Sequence, residues 1–281
     1  MTEKFGDMFK IRKEGVEPVN HIAFILDISG SMSNVADEAL DNFNTQLRKI
    51  RENTINQETY ITLVMFDNNI EVKFAEKSAN EVMELKKYPI GGTTALNDAI
   101  GKTISILDND IPELSDETLD HSALIFVITD GYENSSKEFD KKSIKTLIEK
   151  YEKKDNWTIT FMGGDIDVQG TAVAGMSMTT LNTMSFSNSK EGYDELKSAI
   201  SSGIDTYYAA RGVGMTKTSS FFNEETKSPT GKLLSPKPIE GEMLKDEVTG
   251  ELLKTKKVEG KKLWGNDTLN EEEQEEEKLN E

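Results

Sequence analysis

Cysteine is absent from the 281 residues. Its absence excludes disulfides and thiolate metal sites, and nothing in the residue usage points to an oxidising compartment. Long apolar runs are absent as well, so no stretch can span a bilayer as a helix. Residues 1–20 mix Lys, Glu, Asp and Arg with isolated Phe and contain no apolar core of signal-peptide length; a cytoplasmic location is expected. There are only two histidines, His21 and His121. Each stands in front of an apolar run with no evident partner, which suits a structural or exposed side chain better than a catalytic one. Neither the Gly-x-x-x-x-Gly-Lys phosphate loop nor the Gly-x-Gly-x-x-Gly dinucleotide fingerprint occurs, which makes nucleotide binding a poor fit.

Positive charge is in deficit. Lys and Arg number 33 against 51 Asp and Glu, a net charge of −18. Such a chain is repelled by nucleic-acid phosphates and anionic membrane surfaces and favours cations and basic partners. Acidic surfaces also serve simply to keep a protein in solution.

What is present is a regular alternation. His21 to Asp27 is almost entirely apolar and reads as a buried parallel strand. Val35 to Glu52 places Val35, Ala39, Leu40, Phe43, Leu47 and Ile50 at helical spacing. Thr59 to Phe66 is a second strand, Asp67-Asn68-Asn69 a tight turn, and Ile70 to Ala75 an antiparallel return. Ser78-Ala79-Asn80-Glu81 has the form of a capping box and predicts a short helix. After the loop Gly91-Gly92-Thr93-Thr94, a helix is expected over Ala95 to Leu107, a strand over Ser122 to Thr129, a helix over Lys142 to Lys153 and a strand over Trp157 to Met162. A short helix over Val168 to Ala174, a last strand at Thr183 to Phe186 and a last helix from Glu191 to Arg211 complete the series. Trp157 and the methionines 176, 178 and 184 read as core and gap-filling residues.

This order predicts an α/β fold: a doubly wound, mostly parallel six-stranded sheet with one antiparallel edge strand and helices on both faces. The domain is placed at residues 20–211, after an N-terminal extension at 1–19. Residues 212–270 form a Lys- and Glu-rich C-terminal extension. It contains an internal echo, Thr230-Gly231-Lys232-Leu233-Leu234 and Thr249-Gly250-Glu251-Leu252-Leu253, with a period of about 19 residues. The echo is either a pair of docking segments or a duplicated disordered linker, and Trp264 suits a docking anchor. Residues 271–281 are an acidic run of the solvated, disordered kind.

In such folds ligands bind in the loops at the carboxyl ends of the strands. At the end of the first strand stands Asp27-Ile28-Ser29-Gly30-Ser31, with one carboxylate and two hydroxyls at alternating positions. Gly30 is expected to let the backbone curl so that both hydroxyls face one point. Thr94 follows a Gly-Gly pair and precedes a helix, and Asp130 ends a strand expected beside the first. All five offer hard oxygen, which selects Mg²⁺, with Mn²⁺ or Ca²⁺ as substitutes, over Zn²⁺ or Cu²⁺. Taken singly, the aspartates and Thr94 also suit helix caps, and the serines ordinary turns.

Asp27, Ser29, Ser31, Thr94 and Asp130, in this order and with these elements between them, resemble the metal-ion-dependent adhesion site (MIDAS) of von Willebrand factor type A domains. The resemblance covers roughly His21 to Arg211. Thr94 is preferred over Thr93 as the matching threonine because it directly precedes Ala-Leu and the helix. Phe161-Met162-Gly163-Gly164-Asp165-Ile166-Asp167 looks like a segment of small, leaderless bacterial and phage proteins of this type. The resemblance implies that the serines bind the metal directly, that the threonine and aspartates do so directly or through water, and that a partner protein supplies a Glu or Asp to the remaining position. It also implies a last helix able to shift on binding. The expected function is a metal-dependent protein-protein interaction module, without catalysis. A structural or assembly component, for example of a phage particle or a stress-response complex, is the alternative. A Mg²⁺-dependent phosphoryl-transfer enzyme is disfavoured, because the motif contains no His, Arg or Lys to serve as base or phosphate clamp.

Overall fold

The computed structural model describes residues 16–222, apart from 56, 117 and 219. The Leu-Leu echo, Trp264 and the acidic run at 271–281 lie outside the described residues. Six strands form one sheet in the order β3-β2-β1-β4-β5-β6: β1 (Val19–Asp27), β2 (Glu58–Phe66), β3 (Ile70–Ser78), β4 (His121–Thr129), β5 (Trp157–Gly164) and β6 (Thr183–Phe186). β3 runs antiparallel to β2 at one edge, and the other pairings are parallel. Among the described residues, four α-helices complete the frame: α1 (Ala36–Asn53), α2 (Leu96–Asp110), α3 (Lys141–Glu152) and α4 (Lys190–Gly212). The expected fold class is the observed one.

The unbroken apolar runs of β1 and β4 have a simple cause, since each strand feeds two cores. Ile22, Phe24 and Leu26, with Leu124, Phe126 and Ile128, face the layer of α1 and α4. Ala23 and Ile25, with Ala123, Ile125 and Val127, face the layer of α2 and α3. Side chains alternate faces along a strand, so a strand covered on both sides has no polar position to spare.

Where the chain departs from local expectation, a tertiary contact decides. The capping-box sequence at 78–81 forms no helix; β3 runs through Ser78 and a turn follows. Side chains of α1 satisfy the backbone instead. Asn44 donates to Leu85 O and accepts from Leu85 N at 2.9 and 2.8 Å, and Arg51 donates to Ala79 O and Val82 O. The short helix expected near 168–174 is a π-helix over Gln169–Gly175. Residues after α4 remain on the domain past the boundary drawn at Arg211. Phe221 and Phe222 are buried in the α1–α4 core, and the Phe221 ring meets Phe126 edge-on at 5.3 Å. Gly203 makes room for it: a Cβ there would stand 2.2 Å from the Phe221 ring. Phe221→Ala is therefore expected to destabilise the fold by about 3–5 kcal/mol, read as the shift in the urea midpoint. A loss within error would place this segment outside the folding unit.

The histidines also have partners that the sequence conceals. His21, nearly fully buried at the amino end of β1, shares a hydrogen bond through Nδ1 with Glu76 Oε2 at 2.5 Å and through Nε2 with His121 Nδ1 at 2.9 Å. Its ring stacks on Tyr60 and His121. Glu76 reaches it from a left-handed backbone position, φ 48°. Burial, and then the neighbouring His21, hold the His121 pKa below the ordinary histidine value. The unfolded chain then takes up this proton first as pH falls. The corresponding stability is complete above about pH 6.5 and declines as the pH drops through that value toward the folded pKa. His121→Gln is expected to flatten the fall in urea midpoint between pH 7.5 and 5.5. An unchanged slope would assign it to other groups.

Candidate functional site

The strand order reverses direction between β1 and β4, and the loops after these two strands open a crevice at their carboxyl ends. Asp27 closes β1 and is fully buried. Its Oδ1 accepts from the backbone N–H of Ser29 at 2.7 Å, and its Oδ2 accepts from the Thr129 hydroxyl at 2.5 Å. The chain then turns through a short 3-10 helix, Gly30–Asn34. This turn brings Ser29 Oγ and Ser31 Oγ to 3.1 Å, and Ser31 Oγ donates to Asp130 Oδ1 at 2.5 Å. Ser29, Ser31 and Asp130 thus form one hydrogen-bonded row, although Asp130 is far away in sequence.

Thr94 is buried at this crevice and Thr93 is exposed. A Cβ placed on Gly131 would stand 2.7 Å from Thr94 Oγ1 and 3.4 Å from Asp27 Oδ2. The bare backbone of Gly131 is what lets these two oxygens lie close to it. Gly30, singled out for this role in the sequence, does not need its conformational freedom. A Cβ there would make only an ordinary 3.6 Å contact with Gly92 O. Gly92 (φ 60°) provides the left-handed turn that brings its own loop under Gly30, whose N–H donates to Gly92 O at 3.2 Å.

Several residues that hold this arrangement carry no sequence signal. Asn188 Nδ2 donates to Asp130 Oδ2 at 2.7 Å, and Tyr88 OH donates to Asp27 O at 2.6 Å. Asn134 clips the Thr94 backbone on both sides, accepting from its N–H at 2.9 Å and donating to its C=O at 3.0 Å. Asp98, in the first turn of α2, accepts from the backbone N–H groups of Lys137, Glu138 and Phe139 at 2.7, 3.0 and 2.7 Å. Glu133 accepts in return from Asn97 N at 2.8 Å. The loop after Asp130 is stitched in this way to the helix that begins beside Thr94. An acidic residue in a first helical turn is ordinary, so Asp98 could not be recognised beforehand.

The site is acidic and its charges are unpaired by cations. Burial raises the Asp27 pKa, opposed by the hydrogen bonds from Thr129 and Ser29, and Asp130 adds to the rise. Burial also raises Asp130, opposed by Ser31 and Asn188. Neither has an ion pair among the described residues. No three of His, Cys, Asp and Glu converge among those residues. The oxygens gathered here are therefore two carboxylates and three hydroxyls. A recess of about 450 Å³ lined by His121, Lys153 and Asn156 opens at the amino ends of the strands and contains none of the five.

Residues 22–133 match the family model of the von Willebrand factor type A domain. No curated protein matches the chain. The pilus adhesin SpaC from Lactobacillus rhamnosus GG is similar over 70% of this chain and 32% of its own, with 12% identity and a TM-score of 0.51. The ArnB paralog VWA2 from Sulfolobus acidocaldarius is similar over 66% of this chain and 45% of its own, at 16% identity and a TM-score of 0.44. Proximal thread matrix protein 1 from the mussel byssus, in a structure with a zinc-occupied MIDAS motif, is similar over the same shares, at 15% identity and a TM-score of 0.43. The chain spans less than half the length of each, and at these identities the likeness is one of fold. The narrower resemblance to small bacterial and phage proteins finds no support in these matches.

Asp98→Ala removes the common acceptor of three backbone donors at a buried position. It is expected to cost about 3 kcal/mol and to speed amide exchange across residues 131–140. Unchanged exchange there would show that Asp98 does not organise the loop.

Proposed function

We propose that this chain, which carries a von Willebrand factor type A domain, is a metal-dependent protein-binding module whose cation is held by Asp27, Ser29, Ser31, Thr94 and Asp130. The observation that carries the reading is the convergence of these five oxygen donors, from three separate loops, on the Gly131 backbone and the Ser29–Ser31–Asp130 row. The donor set fits the group. It contains oxygen alone, which suits a hard cation such as Mg²⁺, or Mn²⁺ or Ca²⁺ in its place. It contains one buried carboxylate, Asp27, and one partly buried, Asp130, neither with an ion pair among the described residues, and buried charge calls for compensation. When bound, the divalent cation supplies an electrophilic coordination position to a carboxylate from outside.

The protein's own residues do the rest. Ser29 and Ser31 offer neutral oxygen, so the site carries only the two charges of Asp27 and Asp130. A divalent ion is then balanced but not surfeited with anionic ligands, and a Glu or Asp of a partner protein is the natural complement. Asn188 and Thr129 hold the aspartates at fixed angles, and Asn134 fixes Thr94. Among the described residues, no Lys, Arg or His hydrogen-bonds to the five, so the site lacks the general base and phosphate clamp of phosphoryl transfer. The reading is accordingly one of binding without turnover.

Binding to the native state alone stabilises it by mass action. Mg²⁺ at about a hundredfold excess over its Kd should add about 2.7 kcal/mol, a rise in Tm of several degrees over a chelated sample. Asp130→Asn and Ser31→Ala should each remove most of this rise and leave the chelated Tm near that of the parent. A full Mg²⁺ response in both variants would remove the assignment.

A further inference from the structure

Beside the candidate metal site, at the same ends of the strands, runs a groove of about 280 Å³ that the five oxygen donors do not use. It begins at Tyr132, the residue after Gly131, and continues between the start of α3 and the π-helix. Ile144 and Met176, 0% and 4% exposed, form its buried floor, and Thr171 and Gly175 line the far wall. Tyr132 is 55% exposed, a large aromatic face open to solvent. It is nevertheless held in place, because its hydroxyl accepts from the backbone N–H of Asp167 at 2.9 Å. A fixed, exposed aromatic at the mouth of a concave surface is the kind of side chain that anchors protein interfaces.

The charges of the groove are unequally engaged. Glu133 lines it, but its carboxylate already accepts from Asn97, Ser135 and Ser136, the last through both N–H and hydroxyl. Asp167, at its edge, accepts from the N–H of Gly170 at 2.9 Å. Lys141 is different. It lines the groove, its stem passes over Gly175, and it has no ion pair among the described residues. Among the described residues, Lys141 is thus the charged lining group whose side chain has neither an ion pair nor a hydrogen bond, while Glu133 keeps its negative charge but has its oxygens occupied.

We propose that the groove receives a partner segment with two carboxylates and an apolar side chain between them. The first carboxylate reaches the metal site, the apolar side chain lies on the exposed ring of Tyr132, and the second carboxylate pairs with Lys141. The proposal rests on the metal-binding reading and adds the chemistry of the partner to it. Tyr132 and Lys141 are specificity determinants, since the metal alone would accept any accessible Glu or Asp.

The test is selection of a random peptide library, displayed on phage, against the immobilised full chain in Mg²⁺ with elution by EDTA. The expected consensus has two acidic positions flanking an apolar one. A synthetic peptide of that consensus should bind Lys141→Glu about five- to tenfold more weakly than the parent, as reversal of a rim charge does. Tyr132→Ala should weaken it comparably, and both variants should retain the parent's Mg²⁺-induced rise in Tm. Selection on Lys141→Glu should lose the second acidic position and keep the first. A consensus with a single acidic position, or equal affinity for the parent and Lys141→Glu, overturns the groove and leaves the metal reading standing. Peptides that resist EDTA and bind Asp130→Asn as well as the parent overturn the metal reading instead. Failure to enrich any acidic peptide over the chelated control overturns both.

Discussion

The carboxylate of Asp27 has to be satisfied where it stands, at the end of the central strand with no exposure to water. A buried carboxylate without compensation costs several kcal/mol, so the chain around it is arranged to supply donors. Ser29 provides a backbone N–H by turning immediately after the strand, and β4 provides the Thr129 hydroxyl by running parallel alongside. That pairing fixes the register in which Asp130 emerges next to Ser31. Gly131 follows because a side chain there would strike Thr94. Most of the rim can thus be traced to one acidic residue placed at one strand end. The hydrogen bonds are strong but neutral, and they leave the negative charge itself unbalanced.

The two ends of the sheet solve the problem of buried charge in opposite ways. At the amino ends charge is paired inside the protein. Arg211, 1% exposed near the end of α4, meets Asp120 at 2.5 Å and also donates to Asn20 and to backbone carbonyls. His21 meets Glu76. At the carboxyl ends Asp27 and Asp130 receive hydroxyls, an amide and a backbone N–H but, among the described residues, no cation. Pairing within the chain ties strands and the last helix together and uses up the charge. Leaving it unpaired costs stability and keeps the charge available to a ligand. The same asymmetry bears on α4, whose C-terminal end is tied to the sheet by the Arg211–Asp120 pair.

Much of this was legible in the residues. The unbroken apolar runs of β1 and β4 identify strands covered on both faces, and the alternation of elements gives the layer order. The positions of Asp27, Ser29, Ser31 and Asp130 at or just past strand ends, and of Thr94 just before α2, follow from that order, and the loops that carry them meet at one crevice. What escaped was decided by contacts distant in sequence. A capping box at 78–81 is a sound local signal, but Asn44 and Arg51 of α1 take the backbone groups that a helix would have used. Gly30 sits inside the motif and attracts attention, whereas the close approach belongs to Gly131 and is visible only once β4 lies beside β1. His21, Glu76 and His121 meet because β1 lies between β2 and β4 while β3 pairs on β2. Phe221 and Phe222 look like the start of a polar extension in sequence, yet they are core residues, since Gly203 opens a place for one of them on α4.

The net charge of −18 gives the proposed chemistry a consequence of its own. Like charges repel, so an acidic partner is disfavoured on approach to a surface like this one, and the repulsion reaches about 8 Å at physiological ionic strength. Attraction is confined to the crevice, where a bound divalent ion would offset the two aspartates and offer a coordination position, and where Lys141 has no ion pair among the described residues. Long-range electrostatics then select against acidic proteins in general, and short-range coordination selects for one that can place a carboxylate deep in the rim. A basic partner would meet the converse situation, drawn to the surface at large and rejected at the metal. Discrimination built from a repulsive background and a small attractive centre is more stringent than attraction alone, and removal of the cation leaves only the repulsion. On this reading the acidity of the chain makes the interaction conditional on the metal.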